Sequence, residues 1–149
     1  MLKINQLALS RGQRLLFSKL NLDISPGGIV HVKGPNGCGK SSLLASLAGF
    51  LPPAFGSISL NGMSIQKSCH QVGYYSHALG LKPTMTVLEN LRAQLPEIGE
   101  LTMNDYLQRW GLGGLATRRV YMLSLGQAHK LALVRILLQP SLKLWLLVK

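Results

Sequence analysis

No segment of the chain limits its fold as strongly as the eight residues Gly34-Pro-Asn-Gly-Cys-Gly-Lys-Ser41. They satisfy the pattern G-x-x-x-x-G-K-[ST] through Gly34, Gly39, Lys40 and Ser41. Glycine allows the dihedrals by which successive backbone N–H groups of a turn converge on phosphate oxygens. A helix opening directly behind such a turn adds the partial positive charge of its N-terminus. The flanks suit this: Ile29–Val32 is a short apolar run that predicts a buried strand, and Ser42–Phe50 predicts a helix. Leu43, Leu44, Leu47 and Ala48 give that helix an apolar stripe, and Pro52-Pro53 is expected to end it. Strand, glycine loop and helix in this order imply a nucleotide-type phosphate site. Its candidate residues are Gly34, Pro35, Asn36, Gly37, Cys38, Gly39, Lys40, Ser41 and Ser42. Lys40 is expected to reach the β- and γ-phosphates and Ser41 to ligate Mg²⁺, so ATP and Mg²⁺ are the expected cofactors.

The rest of the chain supplies a frame for this loop. Leu2–Leu9 reads as a strand with Leu2, Ile4 and Leu7 as apolar members, and Arg11-Gly12-Gln13 as a turn. Phe17–Ile24 reads as a half-buried strand with Leu20, Leu22 and Ile24 on one face, broken by Pro26-Gly27-Gly28. Ser57–Leu60, Asn61-Gly62 and Met63–Ile65 predict a hairpin with a type I′ turn, and Val72–Ser76 a further strand. Helical patterns follow at Thr86–Leu91 and Met103–Trp110. A third helix opens at Ser124 and runs to about Leu138, before Pro140; Ser124 and Gln127 form a capping-box pattern at its start. Leu144–Val148 predicts a buried strand. The expected fold is α/β: a P-loop NTPase core with an antiparallel β portion near the N-terminus and a helical subdomain at about 86–138. Residues 1–149 are expected to form a single nucleotide-binding domain.

Charge and cysteine usage narrow the partners. Sixteen Lys and Arg face five acids, Asp23, Glu89, Glu97, Glu100 and Asp105, which implies an anionic neighbour. The basic residues are spread from Lys3 to Lys149 without a run, which argues against a nucleic-acid-binding tail. Cys38 and Cys69 form no CxxC, so neither a metal nor a disulfide framework is expected, and a reducing compartment fits. The N-terminus lacks a signal-peptide pattern. No run of about 18 apolar residues is present, so any work at a membrane is expected to go through docking on another protein. His31, His70 and His129 carry no functional assignment.

The capped segment Leu123-Ser-Leu-Gly-Gln127, taken together with the phosphate loop, gives the chain a family. The sequence resembles the ATP-binding subunits of ABC transporters. Gly34–Ser41 matches their Walker A motif and Leu123–Gln127 their LSGGQ signature, with Leu125 where the first glycine usually stands. The resemblance implies that two subunits sandwich two ATP molecules. The signature helix of one subunit would then present its N-terminus to the γ-phosphate held by the other, with Ser124, Gly126 and Gln127 as signature residues. It also implies that the adenine-stacking position falls at Arg11 and the Q-loop position at His77.

A narrower likeness rests on Val32–Leu44, on His77-Ala-Leu-Gly-Leu-Lys82, on Glu89-Asn-Leu91 and on Leu142–Leu147. These stretches are similar to the ATP-binding subunit of the haem exporter in cytochrome c maturation. That likeness implies ATP binding and hydrolysis coupled to haem export. It also implies transmembrane permease partners and a homodimer of ATP-binding subunits. The expected place is peripheral, on the cytoplasmic face of a bacterial inner membrane, or at the mitochondrial inner membrane for an organellar source.

The resemblance covers the first two-thirds of such a subunit and stops at its chemistry. Val148 and Lys149 stand where the family has the Walker B Asp and the catalytic Glu, and the H-loop histidine would lie further on. The chain therefore reads as truncated at Walker B, C-terminally incomplete, with no catalytic residue intact. Phosphoryl transfer rests on positioning and charge neutralisation, and losing one oriented polar group costs a factor of about 10²–10³. Negligible hydrolysis is expected. So is a poorly stable isolated chain, because a strand at Leu144–Val148 would leave an open sheet edge. The alternatives are a nucleotide-binding pseudoenzyme docked on a membrane partner, or a non-functional remnant of an ABC subunit for another substrate. A small P-loop kinase does not explain the helical insert and its capped S-x-G-Q helix.

Overall fold

The computed structural model describes residues 1–148. These form two compact units: residues 1–74 with 142–148, and residues 75–141.

The first unit is built around β1 (Leu2–Arg11), which pairs antiparallel with β2 (Arg14–Ile24) on one side and β3 (Phe55–Leu60) on the other. The short β4 (Met63–Ser64) closes the sheet in the order β2-β1-β3-β4. The apolar residues of β1 step by two from Leu2 to Ile4, by three to Leu7 and by two to Leu9, yet all four are buried. A bulge resolves the mismatch. Ile4 pairs with Leu22 but Leu7 with Leu20, and the intervening Gln6 takes φ 47°. Its N–H donates to Asn21 Oδ1 at 2.8 Å. On β2, Leu20, Leu22 and Ile24 are half-buried against the core, as their alternation predicts.

Asn61 (φ 51°) and Gly62 (φ 81°) are both left-handed, as a type I′ turn requires. The hairpin is shorter than expected, however. Ile65 opens the four-residue helix α2 (Ile65–Ser68) instead of extending β4, because this turn buries its side chain in the core. Helix α1 (Lys40–Leu47) buries Leu43, Leu47 and Ala48. It ends before the prolines, at Gly49 (φ 80°). Gly49 N–H donates to Ser46 O (3.0 Å) and Phe50 N–H to Ala45 O (2.9 Å), the paired bonds of a Schellman stop.

Two expected buried strands differ in the structure. Ile29–Val32 is not a strand: Ile29 is 97% exposed, and no described segment pairs with it. An apolar run becomes a buried strand only if neighbours take up its N–H and C=O groups, and none does so here. The segment Leu144–Val148 does contain a strand, β6 (Leu144–Leu147), paired with β5 (Val72–Tyr75) in a two-stranded sheet. Only Leu146 of β6 is buried, while Trp145 and Leu147 are exposed, since a two-stranded ribbon leaves each strand one open edge.

The second unit is helical. It contains α3 (Val87–Gln94), α4 (Glu100–Arg109) and α5 (Leu125–Leu137), with short 3₁₀ turns between α4 and α5. Val87, Leu91, Met103, Leu107, Leu131 and Val134 form its core. Asn90, buried and polar, pins the approach to α3: its Oδ1 accepts from Lys82 N–H (2.7 Å), and its Nδ2 donates to Lys82 O and Thr86 O (both 3.0 Å).

Helix α3 opens with a capping box. Thr86 Oγ1 accepts from Glu89 N–H (3.2 Å) and Glu89 Oε2 from Thr86 N–H (2.7 Å). The hydrogen bonds from Thr86 hold the Glu89 carboxyl below its ordinary value, with smaller help from the Arg119 and Arg92 charges. A carboxyl depressed in the folded state contributes stability that is present above its unfolded value and is lost as pH falls through the folded one. Urea midpoints at about pH 7 and about pH 3 should therefore fall further for the wild type than for Glu89→Gln, which retains the acceptor without the titration. Equal losses in the two proteins would refute this account of the cap.

Candidate functional site

The glycine-rich segment forms a compact turn, not an extended strand. Cys38 N–H reaches back to Pro35 O (3.4 Å), and Gly37 (φ 81°) and Gly39 (φ 102°) are left-handed. Gly39 is required twice over. Besides its dihedral, a Cβ there would lie 3.3 Å from Leu16 Cβ and from the Phe17 ring, so β2 backs the loop directly. Gly34 is constrained by its neighbour, since a Cβ on it would stand 2.8 Å from Cys38 Sγ.

The loop delivers the chain into α1 with donors unspent. The first α-helical bond runs from Leu43 N–H to Gly39 O (2.8 Å), so the amides of Lys40, Ser41 and Ser42 have no partner within the helix. Gly39 brings no side-chain cap, and the first turn carries no acid. Lys40 folds back over the loop, its Nζ donating to Gly34 O and Pro35 O, each at 2.8 Å. An ammonium held at the mouth of a helix N-terminus with free amides offers the chemistry an anion needs. Pro35, Asn36 and Gly37 form the exposed rim, and Ser42 is half-buried.

The residues present fit a polyphosphate on these grounds. For Mg²⁺, the exposed Ser41 hydroxyl, which makes no hydrogen bond among the described residues, is the protein oxygen at hand. No cluster of three or more His, Cys, Asp or Glu able to hold a metal occurs among the described residues. A cleft of about 540 Å³ opens beside the loop, with Phe17, Lys19, Leu20, Val32, Lys33 and Lys40 among its walls.

The other sequence-derived positions lie as follows. Arg11 is exposed at the end of β1, paired with Arg14 across the hairpin, and is not among the residues lining this cleft. Val148 is half-buried, directly after β6, and Lys149 lies outside the described residues. In the second unit, His77 is exposed in the segment after β5. Ser124 is the N-cap of α5: its Oγ accepts from Gln127 N–H (3.2 Å), and Gln127 Oε1 accepts from Ser124 N–H (2.9 Å). The first helical bond of α5 is Ala128 N–H to Ser124 O, which leaves the Leu125 and Gly126 amides without a helix partner. Leu125 is 74% exposed, and a Cβ on Gly126 would meet nothing.

Two arrangements had no signal in the sequence. Tyr75 OH and His129 Nδ1 form a hydrogen bond that ties the end of β5 to α5, giving His129 a structural place that its residue type alone did not indicate. Arg135 of α5 donates to Gly80 O (3.1 Å) and Gln94 Oε1 (2.8 Å), while Gln94 Nε2 donates to the same Gly80 O (3.2 Å). Burial lowers the affinity of the Arg135 guanidinium for its proton. Gly80 (φ 65°) permits this approach, since a Cβ there would sit 2.6 Å from the guanidinium. The segment carrying His77 is thus anchored by α3 and α5. Partners so far apart in sequence leave no local pattern.

A helix with free N-terminal donors behind a glycine loop, on this β framework, has known counterparts. Residues 17–147 match the ABC transporter family, and the chain belongs to that family as an ATP-binding subunit. Within it, the chain is like the cytochrome c biogenesis ATP-binding export proteins CcmA. It is 44% identical to that of Methylococcus capsulatus, over 92% of this chain and 70% of the relative. It is 42% identical to that of Paramagnetospirillum magneticum, over 95% and 69%. Among solved structures, an ABC transporter ATP-binding protein from Pyrococcus furiosus superposes with a TM-score of 0.81 at 24% identity, covering 92% of this chain and 70% of its own. The cbiO1 protein of Clostridium perfringens, part of an ABC transporter complex, gives 0.76 at 22%, covering 92% and 61%. These structures share the fold. No described helix is long and apolar enough to cross a membrane.

The capping box of α5 yields a test within the signature segment. Ser124→Ala should lower stability by about 0.5–2 kcal/mol, the usual cost of losing such a cap. Adding Gln127→Ala should cost less than the sum of the two single changes, because the two side chains act reciprocally. Additive urea midpoints would show that the reciprocal cap is not formed.

Proposed function

We propose that this chain binds ATP as its Mg²⁺ complex through Gly34–Ser42. In this reading it serves as the peripheral ATP-binding subunit of a haem exporter for cytochrome c biogenesis. The reading is carried by one observation: Lys40 Nζ spans the loop mouth to Gly34 O and Pro35 O, next to the three unpartnered amides of α1. Phosphate oxygens entering there accept from the Lys40, Ser41 and Ser42 amides and draw the ammonium off the two carbonyls. Mg²⁺, when bound with the nucleotide, supplies charge neutralisation at the phosphates, with the Ser41 hydroxyl as the protein ligand. The substrate assignment rests on the likeness to CcmA proteins, which are named as ATP-binding export proteins of cytochrome c biogenesis.

The remaining roles follow from the same membership. The whole chain acts as a single nucleotide-binding domain with a helical subdomain at about 86–138. Two copies pair, and Ser124, Gly126 and Gln127 of one copy face the nucleotide of the other. Arg11 lies at the base and His77 at the Q-loop position. The subunit sits on transmembrane permease subunits at the cytoplasmic face of an inner membrane.

A second reading concerns turnover, and it is favoured by Val148 and Lys149 standing at the Walker B Asp and Glu positions. In that reading the chain holds nucleotide without hydrolysing it. Lys149 adds positive charge where a carboxylate is needed to orient water.

Titration of Mg·ATP should show saturable binding that Lys40→Ala weakens by roughly 10- to 100-fold, the equivalent of a lost charged hydrogen bond. Equal affinity in the two proteins would reject the site. Steady-state phosphate release by the unchanged chain should lie at background. A turnover that disappears in Lys40→Ala would reject the non-hydrolysing reading and keep the site.

A further inference from the structure

Charge is unevenly spent in the helical second unit. It carries seven Lys and Arg and four acids between residues 75 and 141. Arg92 pairs with Glu100 and Arg109 with Asp105 (2.9 Å), while the half-buried Arg135 is held by Gly80 O and Gln94 Oε1. Glu89, the acid that the Arg119 charge reaches, spends its carboxylate on the Thr86 N–H of the α3 cap. Lys82, Arg118, Arg119 and Lys130 form no ion pair among the described residues, and the first three stand together. A short ribbon groups them. Val87 N–H donates to Arg118 O and Val120 N–H to Met85 O (both 3.0 Å), and Tyr121 N–H to Pro83 O (3.1 Å), with Thr86 bridged antiparallel to Arg119. Alternation along the second strand sends Val120 into the core of the unit and Arg119 and Tyr121 outward. Lys82 and Arg118 are exposed beside them, and two large apolar side chains share this surface, Tyr121 at 62% and Met122 at 54% exposure. No acid lies on either strand of the ribbon.

Cations and apolar side chains on one acid-free surface call for an anionic partner with an apolar layer behind its charges. A peptide would take its register from free backbone groups or from a groove, and the Val87, Val120 and Tyr121 amides are already spent across the ribbon. A bilayer leaflet asks for neither. Lys and Arg keep their charges among lipid phosphates while apolar bodies pass below them, and a tyrosine leaves its hydroxyl at the level of the headgroups. The formal charge of +11 adds a long-range attraction to such a surface. We propose that Lys82, Arg118, Arg119, Tyr121 and Met122 form an anchor for anionic lipid that rests on one leaflet. No described helix is long and apolar enough to cross a membrane, and this contact needs none. The anchor adds a direct lipid contact to a location otherwise assigned through permease subunits, and it does not use the ATP-binding reading.

The test is sedimentation of the full chain with vesicles of mixed phosphatidylglycerol and phosphatidylcholine, against vesicles of phosphatidylcholine alone. Binding is expected to the first and not to the second, and should weaken as salt is raised. Arg118→Gln with Arg119→Gln should weaken it by roughly 20- to 30-fold, at about fivefold for each cation near an anionic surface. Tyr121→Ser with Met122→Ser should weaken it by about tenfold or more at unchanged net charge. Lys3→Gln with Arg14→Gln removes the same charge from exposed positions of the first unit and should have a far smaller effect than the Arg118 and Arg119 pair. Circular dichroism checks that each variant folds, and the charged and apolar pairs test the anchor separately should one of them fail to fold. No binding to anionic vesicles would overturn the proposal. So would equal losses in the two charge pairs, which would make net charge alone the attraction. Full binding by the Tyr121 and Met122 pair would overturn it as well, by removing the apolar layer from the contact.

Discussion

The structure is organised around a helix end that its own sequence leaves unsatisfied. Helix α1 starts on a left-handed glycine with no side-chain cap, and the Lys40, Ser41 and Ser42 amides have no partner in the helix. By contrast, α3 and α5 both close their first turns with complete capping boxes. An uncapped end forgoes about 1 kcal/mol that a Ser, Thr, Asp or Asn would supply. What holds the loop in shape meanwhile is Lys40, whose ammonium clamps the Gly34 and Pro35 carbonyls. Those bonds keep the turn close to the form an anion needs, which reduces the ordering cost of binding. The wall behind it is β2, close enough that a Cβ at position 39 would crowd Leu16 and Phe17. The antiparallel sheet therefore matters to function mainly as the surface against which this turn is pressed.

The N-termini of α1 and α5 differ in how many donors they leave open. At α1 the whole first turn of donors is open, which suits prolonged hold on a multiply charged group. At α5 the Ser124 and Gln127 side chains already satisfy two donors, leaving only the Leu125 and Gly126 amides. A helix end that is mostly satisfied needs no ligand to complete its first turn. The space beside Gly126 is open, and Leu125 is exposed next to it.

How much was legible in the sequence follows from whether the determining chemistry is local. The phosphate turn, the Asn61-Gly62 turn and the Ser124–Gln127 cap are each set by residues within a few positions of one another, and each stands where the sequence reading put it. The helical second unit was legible for the same reason, since its periodicity and caps are local. Failures occur where the outcome depends on a distant partner. The apolar run Ile29–Val32 states what needs covering, and it cannot state whether a strand is present to cover it. The same holds for β6, whose Trp145 and Leu147 lack the cover that their composition anticipates. Ile65 and Gly49 show a smaller version: core burial drew Ile65 out of its hairpin, and a glycine stop acted ahead of two prolines. The Arg135–Gly80–Gln94 and Tyr75–His129 contacts join residues with no common pattern and could not be read at all.

This division between local and distant chemistry also separates binding from turnover. Gripping a polyphosphate needs only the loop, the helix end and one lysine, all within Gly34–Ser42. Hydrolysis needs an oriented water and a second set of charges, which must be brought from elsewhere in the fold. Interactions that hold nucleotide equally in its ground and transition states do not accelerate its reaction. The two capacities are therefore separable in principle, which is why the reading proposed above treats binding and turnover apart. Binding alone still has a consequence for the protein. A ligand held only by the folded state stabilises it by about 2.7 kcal/mol when present at a hundred times its dissociation constant. That exceeds the typical cost of leaving one helix uncapped. For a unit that exposes Ile29 and an open β6 edge, a nucleotide bound as proposed would act as a structural component.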